Sequence, residues 1–382
     1  MQIFETVACN LCKSKDYIKM YKSNQYSNSK LGTIEISIVM CNKCNFIFQN
    51  PQLTTSALNE HYKNNSSGQV YSLQGPSTRT TKLLRERTKF IKDSLKNINI
   101  SSICDVGGGK GLLLDNLKIN QNIKKFLIEP SNAILECTNP NIIKIKKFVE
   151  DIDDNNEKFD FLMCISSLEH FKNPLYILKI FNNLLNENGV LLIEVPNSLK
   201  PYKTTAEFFS YEHLNHFTIE TILKFLHSAG FYPTKIEESK IAPNIRISAN
   251  KKDHYINKQK TFSCFDIYKN MKLSLKEKLN SKIVNLIDTN SINNLAIYGA
   301  GDHTKFVIES FNLLEYITVF IDSDPKKWGL LYYNKLIIAP NELSSHNIKN
   351  ILISSYDYEK EIFASLSKIV DKNINIVRLY NT

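Results

Sequence analysis

Residues 210–217 bring together side chains that can exchange protons. The stretch Ser-Tyr-Glu-His-Leu-Asn-His-Phe holds two histidines, one carboxylate and one tyrosine. Histidine has a pKa near neutrality, and a neighbouring carboxylate can orient it as a general base. We therefore predict His213 as the base, Glu212 as its partner and Tyr211 as a further catalytic group. In the alternative interpretation, Glu212 and His213 only stabilise a loop. For His216 we favour a packing role ahead of the next helix over a role in proton transfer.

Four cysteines form two close pairs near the start of the chain, Cys9-x-x-Cys12 and Cys41-x-x-Cys44. Each pair can place both thiolates on one side of a tight turn, and four thiolates complete a tetrahedral shell around Zn²⁺. Because protein sulfur would fill all four positions, none is left for water, and we predict a structural rather than a catalytic zinc ion. A redox dithiol or four unpaired cysteines are the alternatives.

A glycine-rich loop follows an apolar segment that ends at Asp105. The loop reads Asp105-Val-Gly-Gly-Gly-Lys-Gly111, a spacing expected where a cofactor lies across the carboxyl end of a strand. Glycines permit a tight turn with positive φ and let the backbone approach a ligand closely. The next strand-like segment ends at Glu129, whose carboxylate can bind both ribose hydroxyls of an adenosyl group. These residues alone do not separate a nicotinamide dinucleotide from S-adenosylmethionine.

Strand-like and helix-like segments alternate between residues 81 and 249, which predicts a mostly parallel sheet covered by helices. The predicted strands are 100–105, 125–129, 141–145, 159–165, 189–195, 232–239 and 244–249. The predicted helices are 81–96, 175–185 and 218–229. The stretch 210–217 follows the fifth strand, near the face where the cofactor is expected. The first 50 or so residues are predicted to form a small, turn-rich module that a metal ion stabilises.

A second alternating series begins near residue 294. A strand followed by Gly299-Ala-Gly301-Asp-His303 opens a helix whose backbone amides can receive a phosphate. A later strand ends at Asp322, in the position where a carboxylate often meets a ribose. A long amphipathic helix between the two series is predicted to be a connector. The second series could clamp a nucleotide-linked sugar, complete or dimerise the fold, or act as a nucleotide-dependent redox module.

The bulk composition limits the classes of protein to consider. With 382 residues and 42% apolar residues, the chain can fill two or three hydrophobic cores. It has neither a long apolar run nor a secretion signal, and its other cysteines are scattered, so we expect a cytoplasmic protein without membrane contact. The formal charge of +10 favours anionic partners. No basic stretch interleaved with aromatic residues is present, so nucleic acid is not an expected partner.

The ordered motifs resemble those of the class I S-adenosylmethionine-dependent methyltransferases over residues 81–249. Besides the glycine loop, they include Val149-Glu-Asp after the third strand and Phe159-Asp leading into Ser-Ser-Leu-Glu-His170. The resemblance implies an α/β fold with a doubly wound, Rossmann-like sheet. It also implies these cofactor contacts: Asp105, Gly107, Gly108, Gly109, Gly111, Glu129, Pro130, Val149, Glu150 and Ser166.

The whole chain resembles a narrower group, the nucleotide-sugar C-methyltransferases, which carry a four-cysteine zinc module, a central methyltransferase domain and a C-terminal Rossmann-like domain. The resemblance implies that Glu212 and His213 lie at the reaction centre together with His170. The candidate substrate contacts are Tyr62, Tyr71, Asn197, Gly299, Gly301, His303 and Asp322. That group has a tyrosine two residues before the glutamate, where this chain has Ser210, so oxygen stays open as an alternative methyl acceptor to carbon.

We therefore predict a zinc-binding module and substrate lid over residues 1–80 and a methyltransferase domain over 81–250. A helical connector over 251–290 and a second Rossmann-like domain over 291–382 are predicted to follow. The predicted function is methylation of a sugar, nucleotide-linked, at carbon or oxygen, for surface polysaccharide or modified-sugar biosynthesis, by a monomer or homodimer. The alternatives are an NAD-dependent sugar-modifying oxidoreductase and a non-catalytic protein that binds S-adenosylmethionine.

Overall fold

The computed structural model describes residues 3–26, 33–64, 78–96, 98–120, 122–152, 158–200, 209–252, 264–288, 292, 294–371 and 373–380. These residues form two compact units. The first takes in the described parts of Met1–Gln69, Lys82–Pro201 and Ser210–Phe265. The second takes in those of Val70–Thr81, Tyr202–Phe209 and Asp266–Thr382. No helix in the described ranges is both long and apolar enough to cross a lipid bilayer.

The first unit carries two main sheets and most of the helices in this part of the chain. Its strands are β1 (Phe4–Glu5), β2 (Tyr17–Tyr26), β3 (Thr33–Cys41), β4 (Ile47–Gln49), β5 (Gln52–Leu53), β6 (Ser102–Val106), β7 (Lys124–Ile128), β8 (Ile142–Ile145), β9 (Phe159–Ile165), β10 (Leu185–Pro196), β11 (Asn215–His216), β12 (Tyr232–Glu238) and β13 (Asn244–Asn250). Its helices are α1 (Thr55–Asn64), α2 (Thr78–Ser94), α3 (Leu112–Asn116), α4 (Pro174–Leu184) and α5 (Ile219–Ser228).

The larger sheet has the strand order β12-β13-β10-β9-β6-β7-β8. Strands β6 to β10 pair in parallel, and β13 runs antiparallel to both β10 and β12. The chain order reverses between β6 and β9, and ligands of such sheets bind outside the carboxyl ends of the strands at that point. Each strand predicted between residues 100 and 249 overlaps an observed strand. This strand order agrees with the doubly wound, Rossmann-like sheet that the sequence resemblance implies.

The central strands are apolar along nearly their whole length because both faces of the sheet are covered. In β9, Phe161 and Met163 belong to one core cluster, whereas Leu162 and Cys164 belong to the cluster on the opposite face. This alternation is the period of two that a strand imposes on its side chains. The sheet therefore fixes the direction and end point of β9, after which the predicted site residues follow.

The smaller sheet has the order β11-β4-β3-β2 and differs from the prediction of a short, turn-rich module. Strands β2 and β3 span ten and nine residues as an antiparallel pair. Polar and apolar residues alternate in both strands, which is a strand signal that our prediction did not use. Phe46, next to this sheet, packs against Phe217 and Phe225 of the methyltransferase-like part. The N-terminal residues therefore share one hydrophobic core with the larger sheet.

The second unit is built on one sheet with the order β16-β17-β15-β14-β18-β19. All pairs in it are parallel except β16 with β17. Its strands are β14 (Leu295–Tyr298), β15 (Ile317–Ile321), β16 (Leu331–Tyr332), β17 (Lys335–Ile338), β18 (Asn350–Ile353) and β19 (Asn375–Arg378). Its helices are α6 (Cys264–Asp288), α7 (Asp302–Phe311) and α8 (Glu359–Ile369).

Helix α6 is more than the connector that we predicted. Leu275, Leu279, Ile283 and Leu286 are buried in the same core cluster as strand residues of the C-terminal sheet. Their spacing places them on one face of the helix, which packs against that sheet. The helix is therefore an integral part of the second unit.

Candidate active site

The glycine loop turns sharply at the carboxyl end of β6. Gly107 has φ +73°, and a Cβ added to it would lie 2.5 Å from Ser167 Oγ. A Cβ on Gly108 would lie 2.6 Å from Asp105 Cγ. Only glycine accommodates both the left-handed backbone and this close approach. Ser167 Oγ also donates a hydrogen bond of 3.1 Å to the Gly107 carbonyl, so the segment after β9 lies directly beside the loop.

Two acidic side chains lie behind the loop. The Gly109 amide donates to Glu129 Oε2 at 3.0 Å, and the Ser131 amide donates to Glu129 Oε1 at 2.9 Å. Asp105 is buried, and among the described residues its Oδ1 has no hydrogen-bond partner. Burial, together with the nearby Glu129 carboxylate, raises the pKa of the Asp105 carboxyl to about 7. The pocket behind the loop is thus acidic and would be stabilised by a positively charged ligand.

Ser166, a predicted cofactor contact, is held by a buried ion network. Its hydroxyl accepts from Arg87 Nη2 at 2.9 Å and donates to Glu194 Oε1 at 3.1 Å. Arg246 Nε donates to the other oxygen of Glu194. Burial alone would raise the pKa of the Glu194 carboxyl, but Arg87 and Arg246 lower it to about 2. This network fixes the backbone of Ser166, whose φ is +50°, at the end of β9.

The remaining predicted cofactor residues lie along the same edge of the sheet. Gly111 caps the start of α3 in the left-handed conformation. Pro130 directly follows Glu129 and is half-buried. Val149 is buried and Glu150 is exposed, both in a short 3-10 turn after β8. Their contact with a cofactor stays a prediction.

The N-terminal sheet anchors the predicted catalytic stretch at its backbone. Strand β11 pairs with β4, placing Asn215 opposite Phe48. The side-chain amide of Gln49 donates to the carbonyl of Ser210 at 2.8 Å and to that of His213 at 3.0 Å. Nothing in the sequence marked Gln49 for this task, because the contact joins residues 161 and 164 positions apart. The conformation of the 210–217 loop thus depends on strand β4, which lies much earlier in the chain.

Glu212 pairs with a histidine that we did not predict. His61 Nε2, from α1, lies 2.9 Å from Glu212 Oε1, and Tyr211 Oη lies 3.5 Å from the same oxygen. Burial would raise the pKa of the Glu212 carboxyl, but the hydrogen bond from His61 lowers it. The predicted Glu212–His213 partnership therefore needs correction, because the side chain of Glu212 reaches His61.

His170 and His213 do come together. Their rings meet edge to face with centroids 4.9 Å apart. His170 Nδ1 lies 3.0 Å from the carbonyl oxygen of Glu212, so it joins the segment after β9 to the 210–217 loop. His216 is fully enclosed, and burial lowers the pKa of its ring well below the ordinary value. This agrees with the packing role that we favoured for His216.

The four N-terminal cysteines converge at the base of the smaller sheet. Cys9 Sγ lies 3.5 Å from Cys44 Sγ, and Cys12 Sγ lies 3.4 Å from Cys41 Sγ. All four sulfur atoms lie within 4.8 Å of one another, and none forms a disulfide. This arrangement suits a tetrahedral metal ion.

Residues 77–236 match the profile of a family described as a methyltransferase domain. The match includes the glycine loop, both acidic residues behind it and the whole 210–217 stretch. The match assigns a methyltransferase domain to these residues. Residues 291–377 match a second family, described as "C2185-like, N-terminal".

The ubiquinone biosynthesis O-methyltransferase of Glaesserella parasuis serovar 5 is 30% identical over 122 residues, or 29% of this chain. The chain spans about half, 52%, of that relative's length. A methyltransferase structure from Clostridium acetobutylicum is 16% identical with a TM-score of 0.38, covering 44% of this chain and 91% of that one. The plantazolicin methyltransferase BpumL, solved with SAH, is 16% identical with a TM-score of 0.39, covering 46% and 86%.

The residues behind the methyltransferase glycine loop fit S-adenosylmethionine. The cofactor carries a sulfonium and an ammonium group, both positive. The Asp105 oxygen without a partner and the acidic surroundings favour such charges. Each Glu129 oxygen accepts one backbone amide, which leaves further lone pairs for ribose hydroxyls.

The predicted substrate contacts near the methyltransferase domain are only partly described. Asn197 is buried, and its Oδ1 accepts from the Leu199 amide at 3.0 Å. Tyr62 lies in α1 with its side chain outside the described part, and Tyr71 lies outside the described residues altogether. Their roles stay predictions.

The C-terminal loop resembles the first glycine loop in its position after a strand. The Gly299 amide donates to the Ile321 carbonyl at 2.7 Å, and Gly301 is the residue before α7. Asp322 Oδ2 accepts from the Ala300 amide at 3.0 Å and from Lys327 Nζ at 2.8 Å. Asp322 thus shapes the loop itself, and its contact with a ribose stays a prediction.

His303, also predicted as a substrate contact, is buried inside the C-terminal unit. Its Nδ1 lies 2.7 Å from Ser354 Oγ, and its Nε2 contacts the hydroxyl of Tyr380. Burial lowers the pKa of this ring to about 4. Because both ring nitrogens have partners within the unit, the arrangement argues for a structural role.

Proposed function

We propose that this chain transfers the methyl group of S-adenosylmethionine to a sugar carried on a nucleotide, at a hydroxyl oxygen or at a carbon acid. The main support is the link between the two halves of the site. Ser167 bonds the cofactor loop at Gly107, and His170, in the next turn, bonds the loop that carries His213. Methyl donor and proton acceptor would therefore meet at the end of β9.

The cofactor would be held by groups of opposite charge and by backbone amides. Asp105 would face its positive charges, and Glu129, oriented by the Gly109 and Ser131 amides, would face its ribose. When bound, the cofactor supplies an electrophilic methyl group on sulfur. The left-handed turn at Gly107 keeps side chains out of the path of the ligand.

A hydroxyl acceptor would lose its proton as an oxygen lone pair attacks the methyl carbon, whereas a carbon acid would lose its proton first and attack as the carbanion. The new bond forms between the acceptor atom and that carbon, the carbon–sulfur bond breaks, and S-adenosylhomocysteine leaves. His213 would receive the proton, supported by the ring of His170 and by the Glu212 carboxylate that His61 orients. General-base assistance of this kind is worth about 10²- to 10⁴-fold in rate.

Several observations favour a nucleotide-linked sugar as the acceptor. The net charge of +10 favours an anionic substrate, and a second parallel sheet presents a glycine loop at the start of a helix. The order of cysteine module, methyltransferase domain and second Rossmann-like domain resembles the nucleotide-sugar C-methyltransferases. The matched O-methyltransferase supports oxygen as the acceptor atom. We further propose that the four cysteines hold a structural zinc ion.

The proposal is tested by incubating the protein with labelled S-adenosylmethionine and a panel of nucleotide-sugars, followed by mass spectrometry of the products. We expect a mass gain of one methyl group on one sugar. His213→Ala should lower turnover by at least about a hundredfold while leaving cofactor binding intact.

The matched control is His227→Ala, which alters an exposed histidine on α5 and should leave turnover unchanged. Exchange of solvent deuterium beside a carbonyl would identify carbon as the acceptor. Tight NADH binding without S-adenosylmethionine binding would favour the oxidoreductase alternative instead.

A further inference from the structure

Three side chains at the end of β9 and in the 210–217 loop converge on one point. A carboxylate oxygen of Glu169 and one ring nitrogen each of His170 and His213 lie within 4.8 Å of one another. One carboxylate and two imidazoles are a ligand set that divalent transition metals bind in proteins. The cluster is separate from the four cysteines, which use sulfur only.

Glu169 supplies an independent indication of a cation. Its side chain is 2% exposed, and its Oε2 has no hydrogen-bond partner among the described residues. Its other oxygen lies 4.0 Å from His170 Nε2. Buried carboxylate oxygens normally accept hydrogen bonds, so a buried carboxylate oxygen that accepts none would be stabilised by a positively charged ligand.

The orientation of His170 suits a metal ligand. A carbonyl oxygen can only accept, so the 3.0 Å contact with Glu212 assigns the proton of the neutral ring to Nδ1. Nε2, which lies 4.0 Å from Glu169 Oε1, is then the ring nitrogen that can bind a metal. Histidines that bind metals commonly donate their other ring N–H to a backbone carbonyl in this way. The Glu212 carbonyl is itself well placed, because Gln49 bonds the backbone on both sides of it.

We propose that Glu169, His170 and His213 bind one divalent transition-metal ion, with Zn²⁺ as the experimental probe. Ligand atoms around an ion at about 2.0–2.1 Å are roughly 3.4 Å apart, so each side chain would move inward by less than about one ångström. Three protein ligands leave a coordination position open, as in catalytic zinc sites.

The open position gives the ion a place in the reaction. This part of the inference rests on the proposed function and changes the role of His213, because an imidazole that binds the ion does not accept the proton. The ion would instead lower the pKa of an acceptor hydroxyl in the open position, and the proton of that hydroxyl would pass to solvent. The binding of the ion itself does not depend on the identity of the acceptor.

The test measures metal content in the full-length protein. Wild-type protein is dialysed against micromolar Zn²⁺, then against metal-free buffer, and its zinc is measured by plasma mass spectrometry. We expect two equivalents in the wild type and one in each of Glu169→Gln, His170→Asn and His213→Asn. His227→Asn, the exposed control, should retain two. S-adenosylmethionine binding in each variant reports that the fold is intact.

One equivalent in the wild type, or two equivalents that survive all three substitutions, would overturn the proposal. If a variant fails to bind cofactor, Co²⁺ titration of the wild type decides. The cysteine site gives intense thiolate charge-transfer bands, and a second equivalent at the histidines adds weaker bands without sulfur character. If no further bands appear once the thiolate bands are complete, the proposed second site is wrong.

The metal site and the proposed function fail in distinguishable ways. If the protein binds two ions, one of which depends on Glu169, His170 and His213, but methylates no nucleotide-sugar, the metal site is supported and the proposed substrate is wrong. Full methylation by protein that holds a single ion, unchanged by metal chelators, would keep the function and remove the site.

Discussion

At the scale of single residues, Asp105 links sequence, burial and cofactor charge. It ends β6, where the sheet buries it, and its neighbour Glu129 adds a second negative charge. Both effects oppose its ionisation, so its pKa lies near 7 instead of near 4. A cationic ligand reverses this balance, because it favours the ionised carboxylate.

We expect cofactor affinity and stability to respond to pH in opposite directions. The folded pKa of Asp105 lies above its unfolded value, so the cofactor-free protein should lose stability as pH rises from about 4 through 7. Over the same rise Asp105 ionises, and the dissociation constant for S-adenosylmethionine should fall about tenfold between pH 6 and pH 8. Calorimetric titration measures the affinity.

Asp105→Asn should abolish this pH dependence, because the neutral side chain does not titrate. Asp115→Asn, on an exposed residue of α3, should preserve it. An affinity that is equal at both pH values in the wild type would contradict the assigned role of Asp105.

His61 is the second residue to consider at this scale, because it bonds a carboxylate of the predicted catalytic stretch. Its side chain is 2% exposed and bonds the Glu212 carboxylate at 2.9 Å. Its sequence context, Asn-Glu-His-Tyr-Lys-Asn, is that of an ordinary amphipathic helix. In the proposed reaction the histidine would act through Glu212, and it would therefore be a positioning residue.

His61→Asn should lower the rate of methyl transfer about 10- to 100-fold, the usual effect of losing a hydrogen bond to a charged group. The dissociation constant for S-adenosylmethionine should stay within about twofold of the wild type. Because the His61 bond lowers the pKa of the Glu212 carboxyl, the acidic limb of the pH–rate profile should move to higher pH. A variant with reduced rate but an unmoved profile would indicate a purely structural role.

At the scale of elements, one short strand pair determines the shape of the catalytic loop. Strand β11 completes the N-terminal sheet through β4, and Gln49 at the end of β4 bonds two carbonyls of the loop. Those carbonyls flank the residues proposed to act on the acceptor. The pair of β4 and β11 therefore connects the N-terminal sheet to the proposed reaction centre.

Gln49→Met keeps the volume of this side chain but removes both donors. We expect turnover to fall about tenfold or more, because two partly buried carbonyls lose their partners and the loop loses its fixed position. Cofactor affinity should be unchanged, since the glycine loop is untouched. Steady-state kinetics compared with Asn183→Ala, an exposed amide on α4, measures the effect. Equal turnover in Gln49→Met and wild type would show that the loop holds its shape without these bonds.

At the scale of the whole molecule, the cysteine cluster belongs to a core that spans the first unit. Cys9 and Cys41 are buried in the same cluster as strands β9 and β10. Aromatic contacts from Phe46 to Phe217 and Phe225 continue that core into α5. A metal at the cysteines would therefore stabilise the methyltransferase domain as well as the N-terminal sheet.

Cys41→Ser should remove one equivalent of zinc and lower the free energy of unfolding by about 4 kcal/mol or more, as loss of a structural metal does. Unfolding should remain one transition that includes the methyltransferase domain. Denaturant titration and metal analysis provide the measurement. Cys137→Ser, at a buried cysteine outside the cluster, should keep the full zinc content. Separate unfolding of the N-terminal sheet in Cys41→Ser would contradict the shared core.

The sequence by itself determined the parts of this protein that depend on local pattern. Near-continuous apolar runs predicted the strands on either side of Asp105, and the glycine spacing predicted the cofactor loop. Two C-x-x-C pairs predicted a four-sulfur cluster, since each pair is fixed by its own tight turn. Periodicity, turn chemistry and ligand spacing act over a few residues, so they can be interpreted without the fold.

Only the tertiary structure decided which distant residues meet. Glu212 was predicted to serve its sequence neighbour His213, but the fold turns it toward His61, 151 positions away. Helix α6 was predicted as a connector, and its buried leucines showed that it belongs to the C-terminal core. Gln49 carried no local signal, and the motif that contains Ser167 and Glu169 did not indicate their contacts. Their roles arise where strand ends and loops converge, and that convergence depends on sheet order and burial.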